Sequence, residues 1–284
     1  MKESGIKSDL VLSAGTIFTY DLPRRISIAS AAGYMGIGLR PEDYAVARER
    51  YSNNALRKML EQNGVRVVEI QSIHGWAGSE MERAKGSEIE QGCYRLADGI
   101  GGDYMMVSQT NLEGTMNDAV ERFAAICDRA AEYGLKVSIE FLPWGPIPDA
   151  QTAWQLVRES GRTNAGILVD SWHHIRGAND ESQIREIPVE RIFAIQISDA
   201  PKDIQGSLYD DTRNERLNPG DGSFNLTRFV RLLDELGTDL PYSVEILSNR
   251  QRALPPEVAA RESALATWRV MESARKYTDT PSTT

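Results

Sequence analysis

The feature that most constrains this chain is alternation. Short apolar runs recur at 9–13, 36–39, 65–71, 104–109, 136–141, 165–170, 191–198 and 242–247. Between them lie amphipathic stretches at 22–33, 41–62, 80–98, 117–134, 150–160, 180–187, 224–236 and 257–276. The runs have the length of buried strands. The stretches place apolar residues at helical spacing, as in Val120, Phe123, Ala124, Cys127 and Ala131. Gly64, Gly134 and Gly161 stand where helices would stop. A strand followed by a helix, eight times over, predicts an α/β fold with parallel strands and crossover helices. An open doubly wound sheet and a closed barrel both meet that pattern. Eight units in 284 residues fit the (β/α)8 barrel better. No linker rich in Gly, Ser or Pro divides the chain, so one domain over 1–284 is expected. Its core would cover about 9–276, with a loose tail over 277–284.

Composition removes several function classes. The net charge of −9 argues against general affinity for nucleic acid or anionic membranes. No apolar run approaches the roughly 20 residues that span a bilayer. Residues 1–9 are polar and lack an apolar signal core, so a cytoplasmic protein is expected. Two cysteines, Cys93 and Cys127, are too few for a disulfide framework and read as buried free thiols. The order of Gly33, Gly36 and Gly38 does not match a dinucleotide fingerprint, and no His-Glu-x-x-His or Gly-x-Ser-x-Gly occurs.

In a β/α barrel, reacting groups belong at the C-terminal ends of the strands. The last four strand candidates all carry a polar group there: Glu140, Asp170, Gln196 and Glu245. Strand parity sharpens the reading. Glu140 shares a face with Ser138, Asp170 with Leu168 and Gly166, Gln196 with Ala194, and Glu245 with Ser243. Val137, Ile139, Ile195, Ile197, Val244 and Ile246 lie on the opposite face, toward the helices. Three carboxylates and one amide therefore converge on the barrel mouth. Unpaired, they repel one another and are costly to bury. One divalent cation resolves this, and four hard oxygen donors suit Mn²⁺ foremost, or Mg²⁺ or Co²⁺.

Five segments together resemble one family. They are Ser-Ile-Glu-Phe-Leu-Pro-Trp (138–144), Leu-Val-Asp-Ser-Trp-His (168–173), Ile-Gln-Ile-Ser-Asp-Ala-Pro (195–201), Arg-Leu-Asn-Pro-Gly-Asp-Gly (216–222) and Ser-Val-Glu-Ile (243–246). The set is similar to the xylose isomerase-like barrels, which include sugar isomerases, ketose epimerases, inosose dehydratases and 3-dehydroshikimate dehydratases. The resemblance implies that Glu140, Asp170, Gln196 and Glu245 hold the metal. Gln196, where many members have His, and the Asp170-Ser171-Trp172-His173 pattern resemble the 3-dehydroshikimate dehydratases. Phe141–Pro146 departs from that branch, and the single domain expected here would lack its usual second one.

A metal of this kind acidifies a C–H beside a carbonyl and stabilises the resulting enediolate. His173, three residues beyond Asp170, is the candidate base or proton shuttle. In the epimerase branch the acid/base pair would be Glu140 and Glu245. His74, beyond the third strand, is a candidate substrate contact. Arg216 is a candidate for an anionic substrate group. Trp144 and Trp172 are candidate pocket walls. The expected activity is proton abstraction on a keto-polyol or keto-sugar with β-elimination, as in a dehydratase or related lyase. The alternative is a sugar isomerase or ketose 3-epimerase. Expected partners are the small substrate alone, with no nucleic acid or membrane, and a homo-oligomer for which Trp76 is a candidate contact.

Overall fold

The structure, a computed structural model, describes residues 10–17 and 21–276. The expected tail over 277–284 and the segment 1–9 lie outside the described residues. Eight strands form a closed barrel in sequence order. They are β1 (Leu10–Leu12), β2 (Gly36–Leu39), β3 (Arg66–Ile73), β4 (Tyr104–Val107), β5 (Lys136–Glu140), β6 (Ala165–Asp170), β7 (Ile192–Ile197) and β8 (Tyr242–Val244). Every neighbouring pair is parallel, and β8 closes on β1 through Leu10↔Tyr242, Val11↔Ser243 and Leu12↔Val244. The (β/α)8 expectation therefore holds.

The principal surrounding helices are α1 (Leu22–Ala31), α2 (Pro41–Arg48), α3 (Asn53–Gln62), α4 (Glu80–Ile100), α5 (Met116–Ala131) and α6 (Ala150–Ser160). They continue with α7 (Ser171–Arg176), α8 (Glu181–Arg185), α9 (Leu208–Asn214), α10 (Leu226–Leu236), α11 (Asn249–Arg252) and α12 (Pro256–Lys276). The stretch 41–62, expected as one helix, is two. Ser52 breaks it, its side chain accepting from the Ala55 amide as the N-cap of α3. Capping boxes start α4 at Ser79 and Glu82, and α5 at Thr115 and Asp118.

Two apolar layers hold the barrel. The larger lies between sheet and helices and contains Val137, Ile139, Ile195, Ile197 and Val244, the residues that parity assigns outward. The smaller fills the interior with Val11, Val68, Tyr104, Met106, Leu168 and Ala194. Small residues at selected points make room inside. A Cβ on Gly166 would meet the Phe193 ring at 2.3 Å, and one on Gly38 would meet Glu69 Oε1 at 2.6 Å. Trp76 is not a free dimer contact. It is 5% exposed, donates to the Ser108 carbonyl and packs on Phe123. Both cysteines are free and buried, as expected. Among the described residues no helix is long and apolar enough to cross a membrane.

Candidate active site

The site begins with a turn at the end of β6. Asp170 Oδ1 accepts hydrogen bonds from the amides of Trp172 and His173, at 2.6 and 3.3 Å. That cap turns strand into helix within one residue, and α7 carries His173 back over the barrel mouth. The three-residue spacing of Asp170 and His173 has this local cause. The other oxygen, Oδ2, accepts from Arg216 Nη1 at 2.8 Å.

Arg216 arrives from an extended segment laid across the mouth. Isolated antiparallel bridges at Asp199↔Leu217 and Glu215↔Ser248 hold that segment. Its guanidinium is 1% exposed. Besides Asp170 it approaches Glu245 Oε2 at 3.3 Å, and it donates to Thr212 Oγ1 and Ser198 Oγ. Its fork is thus spent on carboxylates of the protein. The expectation that Arg216 receives an anionic substrate group does not match this placement, because two buried carboxylates demand its charge first.

Glu245 lies just beyond β8. Its Oε1 accepts from Ser13 Oγ at 3.0 Å and Gln71 Nε2 at 2.7 Å, with Gln196 Nε2 at 3.5 Å. Burial pushes its carboxyl up; Arg216 opposes this, while Glu140, Asp170 and Glu69 add to it, to a pKa of about 7. Burial would also raise Asp170. Arg216, His173 and the capping amide outweigh it, and the carboxyl stays below its ordinary range. Glu140 is 6% exposed, with Oε1 3.4 Å from His173 Nε2.

Of the four expected ligands, Glu140 and Asp170 gather with His173, while Glu245 is linked to Asp170 through Arg216 and to Gln196 at 3.5 Å. Among His, Cys, Asp and Glu side chains, the ligand atoms of Glu140, Asp170 and His173 all lie within 4.8 Å of one another. Beneath them Gln196 donates through Nε2 to Glu69 Oε2 at 3.0 Å, while its Oε1 is buried without a partner. A buried amide oxygen without a partner, on a side chain whose nitrogen reaches Glu245, fits the donor chemistry of a hard or borderline divalent cation.

A cavity of about 500 Å³ opens above this network, and Glu140, His173, Arg216 and Glu245 line it. His74 also lines it, held by Ser72 Oγ on Nε2 at 2.7 Å and Ser108 Oγ on Nδ1 at 2.9 Å. Burial, with Arg213 and Arg40 nearby and Glu140 opposing, keeps its imidazole pKa below the usual value. Trp144 forms a wall, edge-on to Tyr209 at 6.1 Å. Trp172 does not. It is 0% exposed behind Trp144 and His173, where α7 turns its ring into the core. His174 points away from the site, toward Phe229. Asp199 holds the loop at Gly220 and Phe224, accepting from both amides.

Glu69 and Gln71 are additions that strand parity does not provide. In the pairing of β2 with β3, Ile37 faces Val67 but Gly38 faces Glu69, so a bulge lies at Val68. Two successive residues then turn inward, Val68 into the interior apolar layer and Glu69 beside Gln196. Tyr104 Oη donates to Glu69 at 2.8 Å, yet burial holds this carboxyl above its ordinary value. The signal in the sequence is a glutamate inside an apolar run.

Comparison with known proteins agrees with this fold. Residues 26–268 match the family described as xylose isomerase-like TIM barrel. The 3-dehydroshikimate dehydratase of Pseudomonas aeruginosa is 25% identical over 261 residues, which is 90% of this chain and 41% of that protein. The inosose isomerase of Bacillus subtilis is 28% identical over 158 residues, 55% of each chain. The chain thus spans about two-fifths to just over half the length of these curated relatives. The crystal structure of an IolI protein with a zinc atom superposes with a TM-score of 0.84 at 19% identity, over 94% of this chain and 99% of that one. With a closed eight-stranded barrel, a carboxylate-rich mouth and a family match over most of its length, the chain belongs to the xylose isomerase-like TIM barrel family.

Proposed function

We propose that this protein is a divalent-metal-dependent enzyme that removes a proton beside the carbonyl of a keto-polyol or keto-sugar, with β-elimination as the main outcome. The observation that carries the reading is the cluster of Glu140, Asp170 and His173, of which Glu140 and His173 line the cavity, together with the unpartnered Gln196 oxygen. Glu140, Asp170, Gln196 and Glu245 would hold the metal, Mn²⁺ being the first choice, with His173 beside them, its ring within 4.8 Å of the Glu140 and Asp170 oxygens and free to act as the base. Such an ion supplies Lewis acidity, polarising a carbonyl so that the neighbouring C–H becomes acidic.

The protein's own residues do the rest. His173 Nε2 lies between an acceptor, Glu140 Oε1 at 3.4 Å, and a donor, Arg216 Nη2 at 3.3 Å. It is therefore placed to take a proton and pass it on. In a lyase, the proton goes to His173, the C–H electron pair forms the C=C bond, and the β-hydroxyl departs with its bonding pair, taking that proton back from His173 to leave as water. Trp144 and Tyr209 line one side of the cavity, edge-on to each other. The dehydratase relative that aligns with 90% of this chain favours this outcome. The second reading, isomerase or epimerase, draws on Glu245. Glu245 and Glu140 both line the cavity, so the two carboxylates could stand on opposite sides of a bound substrate.

The test is incubation of Mn²⁺-loaded protein with ketohexoses, inosose, 3-dehydroshikimate and 3-keto-glucosides in D₂O, read by NMR and mass spectrometry. Loss of water with a new enone signal, abolished in His173→Ala, is the expected result. Deuterium uptake without loss of mass would mean the epimerase or isomerase outcome. No exchange on any of these compounds would sink the reading. Metal analysis of Asp170→Asn and Glu245→Gln checks the ligand set, which is wrong if both retain a full equivalent.

A further inference from the structure

Inside the barrel lies a carboxylate that the proposed reaction does not use. Glu69 is 0% exposed, and no cation pairs with it among the described residues. A charge buried in this way is costly unless hydrogen bonds satisfy it. Three donors do so. Tyr104 Oη and Gln196 Nε2 donate to Oε2 at 2.8 and 3.0 Å, and Gln71 Nε2 donates to Oε1 at 2.7 Å. The backbone is shaped around the same group. The bulge at Val68 turns Glu69 inward, and a Cβ on Gly38 would meet Glu69 Oε1 at 2.6 Å. Bulge, glycine, tyrosine and two amides thus come from β2, β3, β4 and β7 to one carboxylate.

The group held by this arrangement is the amide of Gln196. Gln196 differs from the three carboxylates expected to bind the metal with it. Its two ends are nearly the same in shape, yet only the oxygen is an acceptor that a cation can use. The nitrogen is tied down. It donates to Glu69 Oε2, approaches Glu245 Oε1 at 3.5 Å and lies 3.8 Å from Met106 Sδ, a weak acceptor. The oxygen is left over, buried and without a partner. Turned over, the amide would set its oxygen against both carboxylates, acceptor against acceptor, and leave its nitrogen as the orphan. Both errors are costly in a buried site. Tyr104 acts one step further out, spending its single O–H on the Glu69 oxygen that receives Gln196.

We infer that Glu69 is a positioning residue: it holds Nε2 of Gln196 so that Oε1 is presented to the cation, while Tyr104 and Gln71 hold Glu69 in turn. This role rests on the reading of Gln196 as a metal ligand. Glu69 is not among the residues that line the cavity, so it acts through Gln196 and not on a substrate.

The test is Mn²⁺ binding to the full chain, followed by calorimetry. Glu69→Met keeps the length of the side chain and removes the acceptor. It should weaken binding by about tenfold to a hundredfold. Glu69→Gln, which keeps one carbonyl oxygen, should recover part of that loss. In a Gln196→Ala background the same Glu69→Met change should move Kd by less than about twofold, because the side chain it acts through is gone. The visible spectrum of Co²⁺-loaded protein should change in the same way in Glu69→Met as in Gln196→Ala, since both withdraw the same oxygen. Should Glu69→Met not fold, Glu69→Gln runs through the same cycle, with a smaller loss expected. Wild-type affinity in the Glu69 variant overturns this role and leaves the proposed function standing. An equal loss of affinity with and without Gln196 also overturns it, and makes Glu69 a support of the barrel as a whole. Failure of the wild-type protein to bind Mn²⁺, Mg²⁺ or Co²⁺ overturns it together with the metal reading of the site.

Discussion

Asp170 shows how much one side chain can carry. One oxygen caps α7 and the other meets Arg216, so turn, helix and charge network depend on the same carboxylate. Both partners are almost wholly buried, which makes the pair costly to break from one side. Arg216→Met should lower the stability of metal-free protein by about 3–5 kcal/mol, because it leaves Asp170 and Glu245 without their counter-charge. Urea unfolding measures this, and an effect below about 1 kcal/mol would mean that water reaches those carboxylates. Glu245 supplies a pH dependence. Its folded pKa of about 7 lies above its ordinary 4.5. The folded state therefore favours the protonated form. Burial of this group carries no charge penalty below about pH 4.5, and the penalty grows as pH rises through about 7. A metal that binds there must displace the proton. Binding at about pH 6 should release close to one proton and at about pH 8 almost none. Calorimetry in buffers of different ionisation enthalpy reads that number.

At the scale of elements, the helices are placed by their first turns. Glu82, Asp118 and Asp210 close capping boxes, and their carboxyls are held below the ordinary range by hydrogen bonds from Ser79, Thr115 and Ser207. The sign is opposite to that of Glu245. Stability from these groups is present above their ordinary values and is lost as pH falls toward the lowered ones. Thr115→Ala should return the Asp118 carboxyl upward in a ¹³C NMR titration and lower Tm by a few degrees at neutral pH. An unmoved titration would mean that the backbone amide alone holds Asp118. The strands show what periodicity misses. Regular alternation places Glu140, Asp170 and Gln196 at strand ends with their outward apolar neighbours. The bulge at Val68 breaks that alternation, so Glu69 is invisible to a parity argument. Helix α9, inside the long loop after β7, carries Thr212 and Arg213 to the cavity. Its short length gives no long periodic signal.

At the scale of the molecule, closure of the barrel brings the ends of β3, β4, β5, β6 and β8 to one cavity. A cation at its mouth would bind the folded state and have no site in the unfolded one. Mn²⁺ at about 1,000 times its Kd should add about 4 kcal/mol and raise Tm by several degrees, reversed by EDTA. Identical melting with and without chelator would remove the metal from the site. By itself the sequence determined the eightfold alternation, the order of strands and helices, and four polar strand ends. Each of these follows from local spacing and from which face a side chain must take. Only the tertiary structure decided which charges neutralise which. Arg216 is drawn from a loop onto Asp170 and Glu245, and Trp172 is turned into the core. Arg40, Arg213 and Arg252 come from distant positions to one wall. The physical reason is range. Periodicity acts within one element, whereas a buried charge takes as its partner whatever group the closed barrel brings within a few ångströms.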